Sequence, residues 1–350
     1  MNILFHFIHP SKFHLFRNTI NELISRGHTV NVTIIKKDVM EDLVREENWN
    51  YKNIFPEGRK IKGIPIYLGA GINLIRTIFR LWRYTRKKKY DLFITDDLLG
   101  VIGRYKNVPT IHFTDDHLSA IPEQFILFEF CDYIIAPECV GLGRYKQKLI
   151  PIKGFKQSAY LHPNQFIPDN KILKTINLEG KRYFIIRLVS LKATHDVGKK
   201  GISDDHLTKI IELLNEYGEV RIVSEREVHP RFNKYRIDIN SREILNVLHY
   251  ADLFIGDSQT MAAEAGYLGT PFIWYSHFHN KVCYLDSLIN KYQLGFGVEL
   301  NDFYKLLKYA EEIVSNPDYK KENLIRREVL INETIDLTEF LLQRIETFTD

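Results

Sequence analysis

The sequence predicts an α/β protein of two doubly wound domains facing each other across a cleft. Three observations predict it. Short apolar strands alternate with amphipathic helices from residue 2 to residue 136. The alternation restarts at Arg182. Between the two halves, Pro151–Pro168 is rich in Pro, Gly and polar residues and reads as a linker. Strands alternating with helices imply mostly parallel sheets covered on both faces. The 350 residues are 45% hydrophobic and 26% charged, a globular composition with enough chain for two cores.

The elements follow in order. Asn2–Ile8 is a strand; a helix near Lys12–Arg26 ends at Gly27, and Thr29–Lys36 is the second strand. A helix near Ile72–Lys89 precedes strands at Asp91–Thr95, Thr110–Phe113 and Asp132–Ala136. The second half places strands at Arg182–Leu188 and Glu219–Ser224 and helices near Asp204–Tyr217 and Ser241–Tyr250. MNILFHFIHP lacks a basic leader and breaks at His9-Pro10, so it reads as a strand and not a signal peptide. No apolar run reaches the ~18 residues of a transmembrane helix. The expected location is the cytoplasm.

Residues 252–275, DLFIGDSQTMAAEAGYLGTPFIWY, carry the most chemistry. An apolar strand runs into Asp257-Ser258, which cap a helix over Gln259–Leu268. Gly269-Thr270-Pro271 ends that helix, and a second buried strand begins. A capped N-terminus aims free backbone N–H groups and the positive end of the helix dipole at one point, which suits a phosphate. Met261, Ala265 and Leu268 share one stripe at 100° per residue, with Glu264 at its border. A carboxylate there needs a partner. A ribose diol is one candidate, and a neighbouring Arg or Lys is the plainer one.

Other polar groups recur where strands end. They are His9 and His14 after the first strand, Asp96 and Asp97, then Asp115, Asp116 and His117, and Glu138. The second half adds Arg187, His195, Lys199, Lys200 and Glu225. Each alone reads as a helix cap or a solvated loop. Their recurrence at one edge of both sheets raises the functional reading, because parallel folds bind ligands outside the carboxyl ends of their strands. GxxxxGK[ST], GxGxxG, HExxH, CxxC and GxSxG patterns are all absent. No metal site and no resident cofactor are expected. A net charge of +4 shows no global nucleic-acid footprint, and no nucleic-acid partner is expected. The helix before Tyr90 sets Ile75, Ile78, Phe79 and Trp82 beside Arg76, Arg80, Arg83 and Lys87. It reads either as an ordinary surface helix or, over residues 74–90, as a peripheral contact with anionic lipid.

GDSQTMAAEAGYLGTP resembles the C-terminal nucleotide-binding motif of the glycosyltransferase-B superfamily, and among its members UDP-N-acetylglucosamine 2-epimerase. Ser258, Glu264-Ala265 and Leu268-Gly269-x-Pro271 keep that motif's spacing. The resemblance implies that Ser258 and the helix N-terminus, with Gln259 and Thr260, hold a diphosphate, and that Glu264 binds ribose hydroxyls. It departs where the epimerase Gly-Gly is Gln259-Thr260 and where its Glu pair is Ala263-Glu264. Over nearly its whole length the chain resembles domain-of-unknown-function family 354. The resemblance rests on His9-Pro10 with His14, Phe113-Thr114-Asp115, Ala136-Pro137-Glu138, Gly154-Phe155-Lys156 and Arg187-Leu188-Val189-Ser190 with His195-Asp196.

The resemblance implies two Rossmann-like domains, residues 1–160 and 161–334, with a C-terminal helix over 335–350 packing back on the first. The reading that follows is a nucleotide-sugar-dependent glycosyltransferase of cell-envelope or surface-polysaccharide synthesis, using a UDP-linked donor and a lipid-linked or saccharide acceptor. Arg187, Lys199 and Lys200 would neutralise the leaving diphosphate. Asp116, His14, Glu138 or His195 would handle the proton. The alternatives are a UDP-sugar 2-epimerase or hydrolase, with Asp96 added to the acid–base set, and a nucleotide-sugar-binding protein without catalysis.

Overall fold

The computed structural model describes the chain except residues 38, 60, 62, 64–65, 116–124, 191–200, 241–242, 278–281 and 349–350, and the side chains of 66–67. It forms two compact units, Met1–Gln165 with Thr334–Asp350, and Phe166–Glu333.

In the first unit the strands are β1 (Asn2–Phe7), β2 (Thr29–Ile35), β3 (Tyr51–Phe55), β4 (Leu92–Thr95), β5 (Thr110–Phe113), β6 (Tyr133–Pro137) and β7 (Leu149–Ile152). They pair in the order β3-β2-β1-β4-β5-β6-β7, all parallel. Chain progression reverses between β1 and β4, the topological switch point of such a sheet. The helices are α1 (Pro10–Ser25), α2 (Met40–Glu46), α3 (Ile66–Thr85), α4 (Leu99–Lys106), α5 (Phe125–Glu129) and α6 (Ser158–Leu161). Ile3, Leu4, Phe5 and Phe7 of β1 are all fully buried, the continuous apolar run of a strand covered on both faces.

In the second unit α7 (Lys171–Thr175) leads to β8 (Tyr183–Leu188), α8 (Asp204–Asn215), β9 (Glu219–Ser224), α9 (Ile244–Tyr250) and β10 (Leu253–Gly256). Then come α10 (Gln259–Leu268), β11 (Phe272–Tyr275), α11 (Cys283–Asp286), β12 (Gly295–Val298), α12 (Phe303–Ser315) and α13 (Tyr319–Glu333). The sheet order is β12-β11-β10-β8-β9, again all parallel, with its switch point between β8 and β10. The last helix, α14 (Leu337–Glu346), packs on α1 and α6 of the first unit.

Three expectations change. Residues 151–168 are not simply a linker. Residues 149–152 form the edge strand β7, where Pro151 removes no ladder hydrogen bond from a second neighbour, and residues 154–161 are buried. The helix expected at 72–89 spans 66–85, and Lys87, Lys88 and Lys89 lie beyond it. Strands β3, β7 and β12 were not foreseen. Their sequences, YKNIF, LIPI and GFGV, are interrupted by Lys-Asn, Pro and Gly and show no clean period.

Candidate functional site

The second unit builds its polar site from backbone. Gly256 ends β10 at the switch point, where a Cβ would stand 2.9 Å from Arg187 Cβ and 3.0 Å from Arg187 O, so only glycine lets β8 and β10 run this close. Asp257 follows, and its Oδ1 accepts from Val189 N at 2.8 Å, tying the loop after β10 to the loop after β8. Ser258 is the N-cap of α10, and its Oγ accepts from Met261 N at 3.3 Å. The Gln259 and Thr260 amides have no acceptor within the helix, as the geometry of a first turn requires. At the far end Gly269 takes φ +79° and closes the helix in the left-handed conformation.

Burial gives this turn its electrostatics. It pushes the Asp257 carboxyl up to about 6, against the pull of its hydrogen bond from Val189. Asp257 Oδ2 and Arg187 Nε are buried without a hydrogen-bond partner among the described residues. The Arg187 guanidinium pairs with Glu225, whose Oε2 also accepts from Ser190 N at 3.2 Å. Gln259, in place of a glycine of the epimerase motif, donates its side-chain amide to Tyr284 Oη at 2.6 Å. Glu264 is buried at 6% exposure. It does not border a single apolar stripe, because every residue from Met261 to Leu268 is buried.

The first unit builds its site from charged side chains, at the carboxyl edge of its own sheet. Lys12 Nζ donates to Asp115 Oδ1 at 2.6 Å and Lys156 Nζ to Asp115 Oδ2 at 2.5 Å. All three side chains are at most 10% exposed. Burial opposes the Asp115 charge, and Lys12 and then Lys156 outweigh it, holding the carboxyl far below the usual range. Beside them Asp97 pairs with Arg59 and lies 3.3 Å from His6 Nε2. Burial opposes its charge as well, and Arg59 and His6 hold it low. Asp96 behaves differently. Its Oδ1 accepts from Ile8 N at 3.2 Å, and burial, only partly offset by Lys12, raises its carboxyl to about 6. His9 caps α1 by accepting from Ser11 N, and desolvation together with Lys37, Lys156 and Lys12 lowers it to about 3.

Arg187, Ser258, Gln259 and Thr260 thus gather at one switch point, with Glu264 further along the same helix. Asp116, His195, Lys199 and Lys200 lie outside the described residues. Glu138 is exposed just after β6. The structure brings Lys12, and not His14, to Asp115. Residues two apart on a helix point to different sides, and His14 stands 5.6 Å from the Tyr160 ring. Asp115 is no bare helix cap, being held by two lysines. Lys12, Asp115 and Lys156 were missed as a group because 103 and 41 residues separate the paired partners. The sequence signal was there in Phe113-Thr114-Asp115 and Gly154-Phe155-Lys156, two fragments of the family resemblance.

The family model described as protein of unknown function (DUF354) matches residues 2–348, and the chain belongs to that family. No curated protein matches it in sequence. Solved structures share its fold at low identity. The glycotransferase of kitacinnamycin aligns at TM-score 0.64 and 13% identity, over 99% of this chain and 98% of that one. UDP-GlcNAc 2-epimerase from Methanocaldococcus jannaschii aligns at TM-score 0.62 and 15% identity, over 94% and 99%. UDP-GlcNAc 2-epimerase from Neisseria meningitidis, bound to UDP-GlcNAc, aligns at TM-score 0.63 and 11% identity, over 99% and 100%. Two parallel-sheet α/β domains of the glycosyltransferase-B type are therefore the architecture of this chain.

Proposed function

We propose that the protein is a nucleotide-sugar-dependent glycosyltransferase that takes a UDP-linked donor on its second unit, in cell-envelope or surface-polysaccharide synthesis. The observation that carries this reading is the first turn of α10. Two amides without helical acceptors, a Ser258 cap and a half-satisfied Arg187 converge at the β8/β10 switch point. That is a site for a diphosphate. Glu264 follows six residues after Ser258, roughly 9 Å along a helix rising 1.5 Å per residue, the reach from a diphosphate to a ribose. In the reaction an acceptor hydroxyl gives its proton to a carboxylate, and its oxygen bonds to the sugar's anomeric carbon. The bond from that carbon to the diphosphate oxygen breaks, and α10 and Arg187 take the leaving charge. Asp96, with a carboxyl near 6, is the candidate base that burial tunes. Asp116, His14, Glu138 and His195 are the other candidates.

The same unit-one chemistry favours a second reading, a UDP-sugar 2-epimerase or hydrolase. A carboxylate poised near 6 beside fixed Lys12 and Asp115 supplies both proton acceptor and charge at a sugar ring.

A binding screen across nucleoside diphosphates and nucleotide sugars, followed by product analysis with the best binder, tests both. A UDP compound is expected to raise the melting temperature in a concentration-dependent way. Glu264→Gln is expected to weaken it by about 1.5–3 kcal/mol through lost charged hydrogen bonds. Absence of any nucleotide binding to the wild type removes the reading. Release of free sugar or a 2-epimer, without transfer to an acceptor, selects the second.

A further inference from the structure

We infer that the outer face of α3 is a docking surface for an anionic lipid bilayer, on which the helix lies without crossing. This stands apart from the nucleotide reading and rests on different residues.

The helix has two opposite faces. Thr77, Leu81 and Thr85 are fully buried against the first unit. At 100° per residue Leu68, Ile75 and Phe79 fall within about 40° of one another on the other side. They are 60%, 68% and 57% exposed. Large apolar side chains scattered singly need no explanation, but three in line on one helix mark an interaction face. Arg86 continues that line one residue past the helix, its guanidinium 5.7 Å from the Trp82 ring centre, and Trp82 in turn lies 6.0 Å from Phe79. Arg83, Arg86, Lys87 and Lys89 are all exposed.

The arginines nearer the middle do a different job. Arg76 and Arg80 both pair with Glu57, at 2.8 and 2.6 Å, and both lie over the Phe55 ring. Arg80 also donates to Ile54 O at 2.6 Å. They anchor α3 to β3 and are not offered outward. What remains is an apolar, aromatic stripe with a cationic end. This charge pattern matches a negatively charged headgroup layer over an acyl boundary. A charged helix of this kind does not span: no helix among the described residues is long and apolar enough to cross a membrane.

The test is flotation of the full chain with phosphatidylcholine vesicles and with vesicles of phosphatidylcholine and phosphatidylglycerol. Binding is expected only to the anionic vesicles and is expected to weaken with salt. Arg83→Glu with Arg86→Glu is expected to cost at least about thirtyfold in affinity, from about fivefold per basic residue at the surface. Ile75→Ser with Phe79→Ser is expected to abolish binding and to leave the melting temperature unchanged. In the wild type, brominated lipid is expected to quench Trp82, since Trp49 and Trp274 are buried. Equal binding to neutral and anionic vesicles, or none to either, overturns the proposal. So does a dimer in sedimentation that Phe79→Ser dissolves, which would make the face a contact between copies of this chain.

Discussion

The two carboxyl edges of this protein solve the problem of holding charge in opposite ways. In the first unit, Lys12, Lys156 and Arg59 are already matched by Asp115 and Asp97, at contact distance and nearly out of water. In the second, the positive potential comes from the first turn of α10 and from an arginine whose Nε is unsatisfied. Paired charges fix positions and leave little for a ligand to gain. Unpaired amides gain most when an anion arrives. The comparison shows donors left open in the second unit and charges closed on one another in the first. Asp96, whose carboxyl burial raises to about 6, is the first-unit carboxylate proposed above as the base.

The sharpest way to break this comparison is Asp96→Asn. With the correct donor and acceptor, turnover is expected to fall roughly 10²–10⁴-fold while nucleotide affinity holds, as measured by steady-state kinetics and calorimetry. Full turnover would move the base to Asp116, His14, Glu138 or His195. Next in size is Asp115→Asn. Removing one partner of a buried ion pair strands the others, so a loss of about 3–5 kcal/mol in denaturant unfolding is expected. A loss under about 1 kcal/mol would show that water reaches Lys12 and Lys156, and that the first site is as open as the second. Ser258→Ala is expected to cost about 1 kcal/mol of stability through the lost cap. It should also weaken nucleotide binding, whereas Asp115→Asn variants that remain folded should bind nucleotide normally.

A further expected effect is in pH dependence. Asp97 and Asp115 have carboxyls lowered by folding, so their stabilisation is present above about pH 4 and lost as pH falls below it. Asp96 and Asp257 are raised from 3.8 to about 6, so theirs is present below about pH 4 and lost as pH rises through 6. Together these four groups place greatest stability near pH 4. Asp96→Asn is expected to stabilise the protein at pH 7, on the order of 1–3 kcal/mol, and to flatten the decline between pH 4 and 6. An unchanged profile in thermal melts would mean that Asp96 is solvated. Nucleotide binding near pH 6 should take up a proton at Asp257, because a phosphate raises its carboxyl further. Calorimetry in buffers of different ionisation enthalpy reads that directly.

The sequence by itself determined the fold class and the α10 turn. Apolar runs such as ILFHF and LFIG have the periodicity of strands covered on both sides, and Ser258, Gly269 and Pro271 are local stop and start signals. Those effects act within a few residues, so one stretch of chain displays them. Tertiary structure alone decided which charged residues share a site. Lys12 meets Asp115 and Lys156 only because β1, β5 and β7 end at the same sheet edge. It decided too that Glu138 stays in solvent, that Glu264 sits in a helix buried all round, and that Arg80 faces Phe55 while Arg83 faces outward. Helical spacing sets the angle between two residues, but what covers each face depends on neighbours far away in sequence. The charge and burial of a site belong to that packing.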